Sequence, residues 1–226
     1  MKNKTVVYTA IFGDYDKLID PAVKINADLV VFTNTNLKSD VWDVRKVTMP
    51  HFNITKCARK YKVLPHRWFP EYDFSVWIDG NFLIHKDISD LPKRVLTNKI
   101  NFASYDHMQT YDKRNCIYEE YKVIKQLWNK GNKKDDPVFI TKQIHRYLND
   151  NYPKNNGLIS SGIIARRHNE DDCIKTMEHW WKEIDHWSKR DQLSFNYVAW
   201  KNDFNFNYIK GDVRKNEYVI LKKHKK

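Results

Sequence analysis

Cysteine is scarce: Cys57, Cys116 and Cys173 are the only three in 226 residues, far apart and without a CxxC pair. Such a set builds neither a disulfide framework nor a zinc knuckle, and it suits a reducing compartment. Long apolar runs are missing as well. Nowhere do about 18 apolar residues follow one another, so no segment is expected to span a bilayer; with the reducing compartment that the cysteines suit, a cytoplasmic location is the expectation. The opening MKNKTVVYTAIFGDYD puts two lysines before an apolar run, but Tyr8 and Thr9 interrupt it, Asp14 follows, and no small-residue cleavage site appears. It reads as a strand rather than a signal peptide. Glycine is also sparse, at six residues. The first turn offers Gly13 alone where a dinucleotide-binding turn needs a glycine triplet, and no GxxxxGK[ST] occurs, so nicotinamide and P-loop chemistry lose their support. The nine histidines form no HExxH and no i, i+4 pair. His179 and His186, beside Trp180, Trp181 and Trp187, read as part of a packed aromatic face rather than as ligands.

What is present suffices for one folded unit. Apolar residues make up 41% of the chain, enough to bury a core without staples. The formal charge of +12 and pI near 9.4 invite a polyanionic partner such as nucleic acid, an anionic membrane face or a phosphorylated substrate. The chain is also rich in Lys, Asn and Ile, a bias that an AT-rich genome could produce without selection for binding. Four of the excess charges sit in Lys222, Lys223, Lys225 and Lys226. Residues 222–226 therefore read as a basic tail after a single domain of residues 1–221, solvated or able to touch the inner membrane face or nucleic acid.

TVVYTAIF and ADLVVFT are β-branched and bounded by turn residues, as buried parallel strands are. Ile54, Cys57, Ala58, Tyr61 and Leu64 recur at helical spacing, with Arg59, Lys62 and His66 on the other side and Pro65 closing the segment. FSVWI returns to strand composition, ISDLPKRVL suggests a short helix, and NFASYDH another strand. CIYEEYKVIKQLW and VFITKQIHRYLND read as helices and LISSGIIA as a strand. Helices over Asp172–Trp187 and Asp191–Trp200 and a last strand near FNFNYI complete the alternation. NKGNKKDDP is the most loop-like stretch. The pattern predicts an α/β fold: a mixed, mostly parallel sheet with helices on both faces.

Such sheets place ligands at the carboxyl ends of their strands. After the first strand, Gly13-Asp14-Tyr15-Asp16 is either a plain Asp-rich turn or a wall for a flat base, with Tyr15 as its ring. The segment VWIDGN is more informative. A carboxylate at a strand end, a residue without a side chain and a second oxygen donor suit a hard divalent ion that also touches phosphate. Asp79 would be the anionic ligand and Asn81 a neutral one, with Gly80 allowing close approach. The competing reading is a tight Asp-Gly-Asn turn. Ser188 and Asp191 form an S-x-x-D capping box, so Asp191 is a helix cap, a catalytic group, or both. Arg114 and Glu119 are spaced to pair. Eight tryptophans exceed what one core requires, and some could stack on sugars or bases.

The run RKYKVLPHRWFPEYDFSVWIDGNFLIHKDISDL resembles the core of nucleotide-sugar-dependent glycosyltransferases of the GT-A (Rossmann-like) type. More closely, YTAIFGDYDKLIDP, WIDGN, His107 to Glu120 with RNCIYEE, SSGIIARRH and RDQLSFNYV resemble, in that order, the TOD/MUCI-type glycosyltransferase-like family. That likeness implies a single GT-A-like domain that moves a hexosyl or pentosyl unit from a nucleoside-diphosphate sugar, of the UDP type, to an acceptor hydroxyl, with surface-polysaccharide biosynthesis as the setting. It puts Thr9, Ala10 and Tyr15 around base and ribose, Arg59 and Lys62 beside the nucleotide, and Asp79 at the metal-diphosphate. Ser161 and Gly162, with His107 and Arg114, would line the sugar and acceptor. Asp191 and Gln192 match the DQ pair of retaining relatives. The implied cofactor is Mn or Mg on Asp79 and Asn81. Position 81 is Asn where the family motif prefers Asp, so Lys and Arg could take over part of the metal's role. His224 stands where some relatives place a third ligand. Retention would let the departing phosphate deprotonate the acceptor, whereas inversion would need a carboxylate base. The acceptor is a glycan or, alternatively, a hydroxylated base in DNA. A nonenzymatic nucleotide- or glycan-binding module and a plain nucleic-acid-binding protein are the remaining readings.

Overall fold

The computed structural model describes residues 4–49, 51–133 and 135–223. Its main sheet has seven strands in the order β3-β2-β1-β4-β7-β6-β8: β1 (Thr5–Ile11), β2 (Asp28–Thr33), β3 (Asp43–Lys46), β4 (Phe74–Ile78), β6 (Phe102–Asp106), β7 (Ile159–Arg166) and β8 (Asn207–Ile209). Only β7 runs against the rest, paired antiparallel with β4 and β6. The mixed, mostly parallel sheet expected from the sequence is therefore what forms. A second ribbon pairs β5 (Phe82–Ile84) with β9 (Val219–Leu221).

Period-two alternation sends side chains of each strand to two cores. Val6, Tyr8 and Ala10 of the first strand and Phe12 just after it, with Trp77 and Phe102, face the helices α1 (Ile54–Val63), α3 (Ile117–Asn129), α4 (Pro137–Asn149), α5 (Asp171–His186) and α6 (Gln192–Lys201). Val7, Ile11, Val76, Ile78 and Ala103 face the opposite layer, made by α2 (Leu91–Val95), the β5–β9 ribbon and the loops around Trp42. Helices thus cover both faces, five on one and the short α2 on the other.

The α1 helix begins at Asn53, whose side chain accepts from the amides of Thr55 and Lys56, and it stops before Pro65. Its stripe Thr55, Ala58, Arg59 and Lys62 follows i, i+3, i+4, i+7 spacing and so runs along one side. The C-terminal end of that stripe is pinned from below: Tyr8 Oη donates to the Lys62 carbonyl at 2.8 Å, and the wholly buried Arg166 guanidinium donates to Tyr8 Oη. Asp79-Gly80-Asn81 is a turn, closed by Phe82 N–H on the Asp79 carbonyl at 3.1 Å. It is not a hairpin, because β4 and β5 belong to different sheets. The turn carries the chain from one to the other.

Candidate active site

A cleft of about 1170 Å³ opens along the carboxyl ends of β1, β4 and β6. The antiparallel β7 enters it from the opposite direction, and its register with β6 slips between Ser160, opposite Tyr105, and Ile164, opposite Ser104, the stretch that holds Ser161 and Gly162. The amide of Asp79 donates to the Gly162 carbonyl at 2.9 Å, fixing the two together. Gly162 has no room for a side chain. A Cβ there would lie 2.8 Å from Phe82 Cε2 and 3.3 Å from Val213 Cγ2. Gly162→Ala is expected to destabilise the fold by about 1–3 kcal/mol, as overpacking of a filled core does, and urea denaturation would measure it.

Asp79 shares the helical face of β4 with Trp77, two residues earlier, and so meets α1. Trp77 Nε1 donates to Asp79 Oδ1 at 2.7 Å. Lys62 Nζ lies 3.3 Å from the same oxygen and 2.6 Å from Asp191 Oδ2. Arg59 approaches both carboxylates, at 3.6 Å from Asp79 Oδ1 and 3.5 Å from Asp191 Oδ2. Ser161 Oγ donates to Asp191 Oδ2 at 2.9 Å and accepts from Lys62 at 3.2 Å. Two cations and two anions from α1, β4, β7 and the start of α6 thus form one balanced cluster. Lys62 is fully buried while the Asp79 side chain keeps 30% of its exposure, so the cluster is anchored inside and presents Asp79 to the cleft.

The charges tune one another. Burial alone would raise the Asp191 carboxyl, but the Arg59 and Lys62 charges outweigh it and hold the group well below the usual carboxylate range. Burial pushes the Lys62 ammonium down, against the pull of Asp191 and Asp79. Burial likewise opposes the Arg59 charge, yet Asp191 and Asp79 raise its pKa. Asp191 is also the N-cap of α6, its Oδ1 accepting from Gln192 N at 3.2 Å. The capping box does not form, because Ser188 Oγ accepts from the Arg190 amide and donates to Asp135 Oδ2 instead. Cap and cluster are held by the two oxygens of one carboxylate. Gln192 is fixed beside it by donating Nε2 to the Ile159 carbonyl at 3.1 Å.

The far wall is arginine-rich. Glu120 is buried and receives Arg114 at 2.7 Å and Arg190 at 3.5 Å. The pairing expected with Glu119 is corrected: α3 starts at Ile117, which turns position 120 inward and leaves 119 exposed. Asp112 pairs with Arg114 and Arg214. His107 is buried, and burial lowers its pKa. Arg114 donates to its Nε2 at 3.4 Å, which leaves Nδ1 to carry the proton toward Thr110 Oγ1 at 3.3 Å. At the other end, Ala10, Ile11, Phe12 and Tyr15 stand opposite Ile54, Thr55 and Ala58.

Ala10, Tyr15, Arg59, Asp79, Asn81, His107, Arg114, Ser161, Gly162, Asp191 and Gln192 all border this one cleft. Thr9 and Lys62 do not. Thr9 is buried, its Oγ1 facing Gly80, where a Cβ would lie 3.6 Å away. Lys62 acts from behind the wall. Sequence reading missed Trp77, Glu120, Arg190, Lys222 and Lys223, which only the folded chain brings here. For the implied divalent ion this turn offers one carboxylate, Asp79, while Asn81 is anchored to the C-terminal chain by Nδ2, which donates to the Lys222 carbonyl at 3.1 Å. Among the described residues no three His, Cys, Asp or Glu side chains gather as a ligand set. These residues fit an ion held by Asp79 with phosphate oxygens and water completing its shell, as a hard cation accepts. His224 lies outside the described residues.

A curated relative, the probable hexosyltransferase MUCI70 of Arabidopsis thaliana, is 26% identical over 208 residues, 84% of this chain and 33% of that protein. The chain therefore spans about a third of that relative's length. Among solved structures, the bifunctional glycosyltransferase WbbM in its apo form aligns over 93% of this chain and 39% of its own, with a TM-score of 0.51 and 13% identity, a likeness of fold. The mannosyltransferase Ktr4p of S. cerevisiae aligns over 87% and 65%, with a TM-score of 0.43 and 8% identity. The profile of the TOD1/MUCI70 glycosyltransferase-like domain matches residues 23–224, and the chain belongs to that family.

Proposed function

We propose that the cleft transfers a hexosyl unit from a nucleoside-diphosphate sugar to the hydroxyl of a glycan acceptor. The observation that carries this reading is Asp79: it closes β4, faces the cleft, and is tied to Lys62 and Arg59 of α1. The base would lie between Tyr15 and the Ile54–Ala58 side of α1, and the diphosphate over Asp79 with a divalent ion. The ion supplies charge stabilisation to the leaving diphosphate. Arg59 adds a fixed positive charge at the same place, already oriented and needing no reorganisation as the bond breaks. Asp191 and Gln192 face the sugar, where the carboxylate steadies positive charge developing at the anomeric carbon. The MUCI70 relative, described as a hexosyltransferase, supports the class of sugar.

Retention of configuration is the stereochemical reading we favour. An inverting reaction needs a general base with a pKa near the working pH. Asp191 is held far below that by Arg59 and Lys62, and Asp112 and Glu120 are engaged by arginines. His107 offers a nitrogen that already accepts from Arg114. That these groups are engaged supports the departing phosphate as the base for the acceptor proton.

The test is release of nucleoside diphosphate from a panel of nucleotide sugars in Mn or Mg buffer, followed by anomeric proton NMR of the first product. Turnover of one donor, lost in Asp79→Ala, is expected, with the donor's anomeric configuration kept. Absence of release from every donor would leave a binding module instead, and an inverted product would remove the retaining assignment.

A further inference from the structure

The central cluster is electrically balanced, Lys62 and Arg59 against Asp79 and Asp191. A diphosphate entering above Asp79 brings negative charge that this set does not offset. One divalent ion on a single carboxylate is a partial answer, and the C-terminal chain supplies another.

Although the sequence suggests a solvated tail from residue 222, Lys222 is not free of the fold. The ribbon register, Phe82 opposite Leu221 and Ile84 opposite Val219, makes β9 end where β5 begins, directly after Asp79-Gly80-Asn81. Leu221 N–H donates to the Arg214 carbonyl at 3.0 Å. Asn81 then bonds Lys222 twice: its carbonyl accepts the Lys222 amide at 2.8 Å, and its Nδ2 donates to the Lys222 carbonyl at 3.1 Å. Lys222 and Lys223 border the cleft with Asp79, and neither makes an ion pair among the described residues.

We propose that Lys222 and Lys223 are diphosphate-binding residues, carried on a strap that Asn81 latches beside Asp79. The inference rests on the nucleotide-sugar reading. It also gives position 81 a chemical reason. An amide can donate to the Lys222 carbonyl, whereas aspartate has no N–H and would set a carboxylate against that oxygen. Asparagine at the second carboxylate position of the metal motif thus holds two lysines where the diphosphate charge falls, and cations on the chain take over part of what a second metal-binding acid would otherwise help to supply.

Isothermal titration of the whole chain with pyrophosphate, UDP, GDP and the matching nucleosides, in EDTA and in Mn buffer, tests this. Lys222→Ala/Lys223→Ala should bind pyrophosphate and the preferred nucleoside diphosphate roughly tenfold more weakly, or worse, with little change for the nucleoside. Asn81→Asp should lose part of that affinity with both lysines present. Lys122→Ala/Lys125→Ala, which removes the same charge from exposed positions of α3, should bind as wild type does. Equal affinity of wild type and Lys222→Ala/Lys223→Ala would overturn the strap alone, as would an equal loss in the α3 control. A wild-type protein that binds none of the phosphates would overturn the nucleotide-sugar reading and the strap with it.

Discussion

Asp191→Asn should destabilise the protein by about 3–5 kcal/mol and abolish turnover, because it takes the nearer of two counter-charges from the fully buried Lys62 ammonium, and one from Arg59, leaving Asp79 alone against two cations. The loss comes mainly from the excess of buried positive charge, two cations against Asp79 alone, rather than from any large net strength of the pair. Removing both charges together should therefore be milder. Lys62→Met/Asp191→Leu replaces the buried pair by apolar groups of similar size and should recover much of the lost stability while turnover stays absent. Urea denaturation of the three proteins, read beside nucleotide release, separates the structural part from the chemical part. A double variant as unstable as Asp191→Asn would contradict the account.

The same pair fixes a pH dependence. The Asp191 carboxyl titrates lower in the folded than in the unfolded chain, so the unfolded state binds more protons as acid is added. Its stabilising contribution is complete above the unfolded carboxylate value of about 4 and is lost as pH falls below it. Asp191→Asn should have a flatter acid limb over that window, measured as unfolding free energy against pH.

Asp79→Ala should leave stability nearly intact and lower kcat/KM by about 10²–10³-fold, the usual cost of deleting one preorganised electrostatic contact in a site of this kind. Its side chain is partly exposed, and Lys62 keeps Asp191 at 2.6 Å, so the fold retains its main charge pair. Trp77 Nε1 loses its acceptor, a loss that water entering from the cleft can offset. Dependence of turnover on Mn concentration should vanish in the variant, since the cation loses its one protein carboxylate. Retained Mn dependence together with near-normal kcat/KM would place the cation elsewhere.

Much of this was legible in the chain before folding. FSVWI forms β4 as written, because a β-branched and aromatic run bounded by Asp73 and Asp79 has few alternatives. The α1 stripe follows from helical spacing, and the observed helix ends at Val63 just before Pro65. The Asp-Gly-Asn segment is both things its residues allowed, a tight turn and a cleft wall. Other features depend on pairings distant in sequence. β3 carries Asp43 and Lys46 on a sheet edge and lacks an apolar signature, so composition does not announce it. The C-terminal lysines resemble a tail until β9 finds β5, about 140 residues earlier in the chain, a contact no local pattern encodes. Glu120 rather than Glu119 meets Arg114 because one residue of helical phase is 100° of rotation, and phase depends on where α3 starts. Asp191 looked like part of a capping box from spacing alone, whereas Lys62 and Arg59, reaching it from α1, give its carboxylate a second task.

The most direct measurement is a crystal structure of the protein with a nucleoside diphosphate bound in the presence of Mn. The account predicts the diphosphate above Asp79 with Lys222 and Lys223 on its other side, the base against Tyr15, and open space toward Asp191 and Gln192 for the sugar. A nucleotide lodged outside this cleft, or one whose phosphates avoid Asp79 and its cation, would contradict it.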